Sequence, residues 1–152
     1  MSSNYFTLFG IELAFNISFD ELEKKYIELS RTDINEGQSK NMENINKAYQ
    51  VLKSPLKRAE HLLDLFGVKS QKGYLNSEIL NESMKIREYL LDCDNLQFAN
   101  RMIDEKVKDC TKRLIKAFAV RNFDKATTQV LRLKYLYKSL EEMKKNAANS
   151  NF

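Results

Sequence analysis

The sequence predicts an all-α protein of two helical units, and three observations carry that expectation. Apolar residues recur at three–four spacing along most of the 152 residues, the pattern that turns one face of a helix toward a core. Four glycines and one proline leave few turns. A hydrophobic content of 43% is ordinary for a globular protein and argues against disorder.

The elements follow in chain order. Asn4 to Phe9 is a short apolar segment ended by Gly10. Ser18 stands where an N-cap belongs, with Glu21 three residues on to complete a capping box. The helix behind it is expected to bury Phe19, Leu22, Tyr26 and Leu29, while its other face carries Glu23, Lys24, Lys25, Glu28 and Arg31. Residues 32–40 are polar, contain Gly37 and read as a loop. A helix at about 41–53 aligns Ile45, Ala48, Tyr49 and Leu52. Ser54-Pro55 stops it, because proline lacks the amide and disfavours a helical residue before it. A second stripe, Leu56, Ala59, Leu62, Leu63 and Phe66, is closed by Gly67 and completes a unit over residues 1–68.

Residues 69–76 form a polar connector with Gly73. Beyond it, a helix is expected at about 77–91. A second carries Leu96, Ala99, Ile103, Val107, Cys110, Leu114 and Ala117, through to about Val120. A third aligns Phe123, Ala126, Val130, Leu133, Tyr137, Leu140 and Met143, with Asn122 at the junction. Such narrow, sustained stripes predict long antiparallel helices in a three-helix bundle over residues 77–146, followed by a small polar tail at 147–152.

Net charge is +4. Residues 1–73 hold ten basic and ten acidic side chains, and 74–152 hold fifteen and eleven. An excess spread over helices in this way is the signature of a solvated face. No run approaches the roughly 18 apolar residues of a membrane span. The N-terminus has neither a secretory signal nor an Arg-rich presequence, so the expected location is cytoplasmic, with a mitochondrial matrix or related organelle as the alternative. Cys93 and Cys110 stand apart, with no C-x-x-C, and His61 is the only histidine; the expectation is reduced thiols, no metal and no cofactor. No phosphate loop, H-E-x-x-H or nucleophilic triad is present, so no enzyme is expected and no catalytic residue is assigned.

The densest motif spans the Pro55 junction: Asn46, Ala48, Tyr49, Leu52, Lys53, Pro55, Leu56, Arg58, Ala59, Glu60, His61, Leu62, Leu63. It resembles the end of the J-domain in the iron–sulfur cluster co-chaperones of the HscB type. The opening Asn4-Tyr5-Phe6-Thr7-Leu8-Phe9-Gly10 is similar to that family's start. The resemblance implies a J-domain-like unit followed by a scaffold-binding three-helix bundle. It also implies two partners: a DnaK-type (HscA-like) chaperone and an iron–sulfur cluster scaffold protein (IscU-like). Some members carry an N-terminal zinc-binding cysteine module, and none is expected here.

J-domains act through a His-Pro-Asp tripeptide between their second and third helices. Its ungapped position here holds Ile34, Asn35 and Glu36, and the only histidine and proline lie elsewhere. The resemblance places chaperone binding on Lys24, Lys25 and Arg31 together with Ile34, Asn35 and Glu36. It places scaffold binding on Leu80, Asn81, Met84, Arg87 and Glu88, beside Glu82, and on Tyr135. Tyr135 lies about 200° around its helix from Leu133, which predicts exposure.

The helix at 77–91 carries two apolar groups. Ile79, Ile86 and Leu90 fall within about 40° of one another, and Leu80, Met84 and Leu91 lie roughly 110° away. Either both groups are core, or the second faces a partner. Two rival functions remain: a degenerate J-protein that binds the scaffold without stimulating the ATPase, and a basic helical nucleic-acid binder. Against the second, the C-terminal basic residues are interleaved with acids, so no nucleic acid and no membrane partner are expected.

Overall fold

The computed structural model describes the backbone of residues 4–36, 39–68 and 76–149, and the side chains of 4–32, 41–68 and 76–146. The described residues are all-helical and contain no strand. The chain divides into two compact units, Met1–Ser70 and Gln71–Phe152.

In the first unit, α1 (Tyr5–Phe9) is one short turn-and-a-half, capped by Asn4, whose side chain accepts the Thr7 amide hydrogen. It ends at Gly10, in the left-handed region at φ 64°, where the Gly10 and Ile11 amides donate back to the Thr7 and Phe6 carbonyls. Glycine meets no Cβ penalty in that conformation. α2 (Phe19–Glu36) begins where Ser18 Oγ accepts the Glu21 amide at 3.3 Å. It then runs on through residues expected to form a loop. Nothing in Thr32-Asp33-Ile34-Asn35-Glu36 breaks a helix, and the first helix-disfavouring residue is Gly37. α3 (Ser39–Lys53) starts almost at once. α4 (Pro55–Leu65) starts at Ser54, whose Oγ accepts the Lys57 amide, with Pro55 in the first turn where its missing N–H costs nothing. Gly67, φ 76°, closes it.

α1 packs on α2 and α3, α2 on α3, and α3 on α4. The core holds Phe6, Phe9, Phe15, Leu22, Ile45, Ala48, Leu52, Ala59, Leu62 and Leu63. Each large side chain of this set contributes roughly 1.5–3 kcal/mol by leaving water. Phe19, expected in the core, is instead 52% exposed, because it sits on the first helical turn. Its ring lies 5.5 Å from the Arg58 guanidinium carbon. Phe15, in the preceding connection, takes the buried place. Tyr26 and Leu29 are half-buried.

Two polar side chains fasten this unit. Arg58 is 3% exposed although it is charged. It donates from Nε to the Phe15 carbonyl at 2.7 Å and from Nη1 to the Leu52 carbonyl at 2.8 Å, and it lies 4.6 Å from the Phe15 ring centre. Leu52 is in the last turn of α3, where carbonyls lack helical partners and the dipole favours a cation. At the other end, His61 Nε2 accepts the Tyr5 amide hydrogen at 3.2 Å, and its ring stacks on Tyr5 at 4.6 Å and Phe6 at 5.8 Å. Burial lowers the His61 pKa below its usual value, partly opposed by Asp64, so the ring is the neutral acceptor this bond requires.

In the second unit, α5 (Ser77–Asp92) is capped by Asn76, which accepts from Glu78 and Ile79. α6 (Leu96–Ala119) is capped by Asn95. α7 (Phe123–Asn149) begins after Asn122, which accepts the Lys125 amide. α6 and α7 form the long antiparallel hairpin, and α5 packs against α7. Pairing of Glu82 with Arg132 and of Arg87 with Glu142 shows that α5 runs parallel to α7. The core holds Ile79, Ile86, Ala99, Ile103, Cys110, Leu114, Ala117, Ala126, Val130, Leu133, Leu136 and Met143. Leu96 is exposed on the first turn of α6, and Phe123, Val107, Tyr137 and Leu140 are only half-buried; Gln129, Leu136 and Ser139 fill the α7 stripe instead. Residues 69–75, most of the expected connector, lie outside the described residues, as do 150–152.

Candidate functional site: two partner-binding faces

α5 settles which of its apolar groups is core. Ile79 and Ile86 are buried and Leu90 half-buried, whereas Leu80 is 38%, Met84 55% and Leu91 70% exposed. Three large apolar side chains therefore stand in water along one line of the helix. Asn81 and Glu88 are exposed on its flank. Arg87, also exposed, reaches across to Glu142 Oε1 on α7 at 3.1 Å. The pair is open to solvent, so it orders the rim more than it stabilises the fold.

Tyr135 is half-buried rather than exposed. It lies beside Ile79, Ser83 and Ile86 of α5, which covers the flank the wheel alone left open. Tyr135 and Glu142 are seven residues apart on α7, about two turns, and so share one line of that helix. Because Arg87 bonds Glu142, Tyr135 belongs to the flank of α7 that borders the exposed α5 face. Leu80, Met84, Arg87 and Tyr135 thus border one surface. Beyond Leu91 the surface continues into an open groove of about 450 Å³, whose lining includes Leu90, Leu91, Leu96 and Met143. Leu91 was visible in the sequence as an apolar position in register with Leu80 and Met84, and the groove was not.

On the first unit, Lys24, Lys25 and Arg31 are exposed on α2. Lys24, Glu28 and Arg31 fall at four- and three-residue steps, hence on one line, and Lys25 approaches Glu28 at 4.0 Å. Ile27, 42% exposed, adds an apolar position beside Arg31 that the charge pattern had hidden. The backbone at Ile34, Asn35 and Glu36 belongs to the last turns of α2 rather than to a loop. Their side chains lie outside the described ones.

Inside the bundle, a chain of polar contacts links all three helices. Arg132 donates from Nε to Glu82 Oε2 at 3.0 Å and from Nη1 to Gln129 Oε1 at 2.8 Å. The Cys110 thiol donates to the Gln129 carbonyl at 3.1 Å and to its Oε1 at 3.4 Å. Burial pushes the Cys110 pKa up to about 11, which keeps it a thiol and a donor. Both cysteines are free. Among the described residues no group of three or more His, Cys, Asp or Glu side chains is placed to hold a metal. No helix among them is long and apolar enough to cross a membrane.

Comparison with known proteins sharpens the meaning of these faces. The family described as the HSCB C-terminal oligomerisation domain matches residues 75–144, which span α5, α6 and most of α7. The co-chaperone protein HscB of Proteus mirabilis is 30% identical, with the match covering 92% of this chain and 93% of that one. The iron-sulfur cluster co-chaperone protein HscB homolog of Arabidopsis thaliana is 26% identical over 95% of this chain and 64% of its own length. Among solved structures, the chaperone HscB from Vibrio cholerae superposes with a TM-score of 0.79 at 25% identity, covering 97% of this chain and 99% of the other. With both units spanned and the identity sustained over nearly the whole length of a relative, the chain belongs to the HscB family of co-chaperones, proteins that act through a partner and are not themselves enzymes.

Proposed function

We propose that this co-chaperone serves iron–sulfur cluster assembly by holding the cluster scaffold protein on α5 and bringing it to a DnaK-type chaperone. The observation that carries the reading is the exposed line Leu80, Met84 and Leu91, bordered by Arg87 and by Tyr135 of α7. Apolar side chains in water along one line of a folded helix suit a protein partner, and a flexible Met adapts to its surface. Asn81 and Glu88 extend the contact at its rim. On the first unit, Lys24, Lys25 and Arg31 would steer the complex toward an acidic chaperone surface.

The absent tripeptide favours a second reading for the chaperone half: docking without stimulation of ATP hydrolysis. His-Pro-Asp offers a defined donor, a fixed turn and an acceptor. Ile34-Asn35-Glu36, on a helical backbone, offers neither the imidazole nor the turn. Calorimetric titration with the scaffold and single-turnover ATPase assays with the cognate chaperone test both halves. Scaffold binding is expected, with weak or no stimulation of the ATPase. Any chaperone binding through α2 is expected to weaken severalfold as salt rises, because the Debye length shortens from about 10 Å at 0.1 M to about 3 Å at 1 M. Full stimulation by the unmodified protein would refute the second reading, and failure to bind the scaffold would refute the first.

A further inference from the structure

α5 poses a packing problem that its apolar residues do not solve. Its inward stripe consists of Ile79, Ser83, Ile86 and the half-buried Leu90, while Leu80, Met84 and Leu91, roughly 110° around the helix, point to solvent. With three large apolar side chains each, the two sets are similar in apolar size. Hydrophobic attraction is non-directional and scales with area. It does not by itself choose which of the two faces α5 buries against the α6–α7 hairpin. Something else selects the observed rotation.

The polar chain through the bundle has the required directionality. Glu82, two residues after Leu80, lies on the far edge of the buried stripe from Arg87. Its carboxylate meets Arg132 at 3.0 Å; Arg132 is bonded in turn to Gln129, and Gln129 to the buried Cys110 on α6. Gln129 is 8% exposed and Cys110 is fully buried. Rolling α5 to bury Leu80 and Met84 carries Glu82 away and leaves Arg132 without its carboxylate beside a buried amide. Glu82 and Arg132 keep 36% and 22% of their side-chain surface in water, so the loss is felt most at the buried Gln129 amide that Arg132 also bonds. Buried polar groups are known to fix register in this way even where they add little stability.

We infer that the Glu82–Arg132–Gln129–Cys110 chain sets the rotation of α5 on the α6–α7 hairpin and so keeps Leu80 and Met84 outward. Arg132 is then a positioning residue for a partner face it does not form. The functional consequence rests on the reading of α5 as the scaffold surface, whereas the rotational setting itself does not.

Thiol labelling of the full chain separates the two. In a Cys93→Ser background, with Cys110 shielded, Met84→Cys reports the outward face and Ser83→Cys the inward one. A maleimide should label position 84 fast and position 83 slowly. Adding Arg132→Met should reverse the order, slowing position 84 and speeding position 83, each by about tenfold or more, while helicity is kept. General loosening would speed position 83 and leave position 84 fast, which overturns the inference, as do unchanged rates at both positions. The exchanged pair Glu82→Arg with Arg132→Glu should restore the original order, and Glu82→Gln replaces Arg132→Met should that variant fail to fold. Scaffold affinity should fall about tenfold or more in Arg132→Met. If labelling reverses as expected but Leu80→Ala with Met84→Ala leaves scaffold binding intact, the rotational setting stands and the scaffold reading falls.

Discussion

The two units use charge in opposite ways, inside and out. In the first, polar groups finish helices: Arg58 caps the Leu52 carbonyl at the end of α3, and His61 accepts an orphan amide at the start of α1. In the second, polar groups run between helices, from the half-exposed Glu82 on α5 through α7 to the buried Cys110 on α6. Outside, the first unit shows a face of both signs on α2, and the second shows apolar side chains on α5. Contacts that finish helix ends inside one unit bear on whether that unit folds. Crossing contacts bear on which face of a helix looks outward. The difference predicts that substitutions in the first unit's interior will act on stability, and those on the second unit's exterior on affinity.

The largest expected effect tests the exterior half of that contrast. Replacing Leu80, Met84 and Tyr135 together by alanine should remove scaffold binding, since hot-spot truncations commonly cost about 2 kcal/mol or more each and do not simply add. Helicity should persist, because Leu80 and Met84 are not core. Tyr135, half-buried against α5, is the one member whose loss should also lower the melting temperature. Calorimetry alongside circular dichroism separates the two. Collapse of the fold on substitution of Leu80 and Met84 alone would erase the distinction between the units.

Next in size is the interior of the first unit. Arg58→Met removes two charge-assisted hydrogen bonds, which are worth roughly 1.5–3 kcal/mol each, and the guanidinium stacking on Phe15. Part is recovered because a buried charge no longer has to be desolvated. A net destabilisation on the order of 3 kcal/mol is expected in urea unfolding. Scaffold affinity at low temperature should be untouched. A variant of wild-type stability would show that Arg58 is tolerated in the core and does not fasten it.

How much of this was legible in the sequence depended on how far apart the partners are. Caps act within four residues, so Ser18, Ser54, Gly10 and Gly67 announced helix ends correctly. The α6 end has the same hydrogen bonds, from Arg121 to the Phe118 carbonyl and from Asn122 to the Ala117 carbonyl. It is built on Arg121 at φ 55°, with no glycine to mark it. The α2 extension is hidden by its polar residues, which look like a loop although no breaker precedes Gly37. On α5 the two apolar groups were legible, but the choice between them was not: it is made by Arg132, fifty residues away from Glu82. Arg58 could have been found, since it stands beside Ala59 and four before Leu62 in the apolar stripe of α4. Its carbonyl partner on Phe15, 43 residues distant, could not.

The smallest expected effect sharpens the capping side of the contrast through pH. His61 accepts the Tyr5 amide only when Nε2 is unprotonated, and burial holds its folded pKa below the ordinary 6.5, with Asp64 on the same helix partly opposing the shift. Below 6.5 the unfolded chain therefore binds more protons at this site than the folded one. The contribution is fully present above the unfolded pKa and is lost as pH falls through the folded pKa. Melting temperature should drop between pH 7.5 and 5.5, and His61→Gln, which keeps an acceptor but does not titrate, should lessen that drop. The His61 ring is half-exposed, so the effect should be smaller than that of Arg58→Met. Scaffold affinity, which depends on the other unit, should follow the same pH course in both proteins. An identical pH dependence of melting in the two would show that the α1 cap does not depend on the ring's charge.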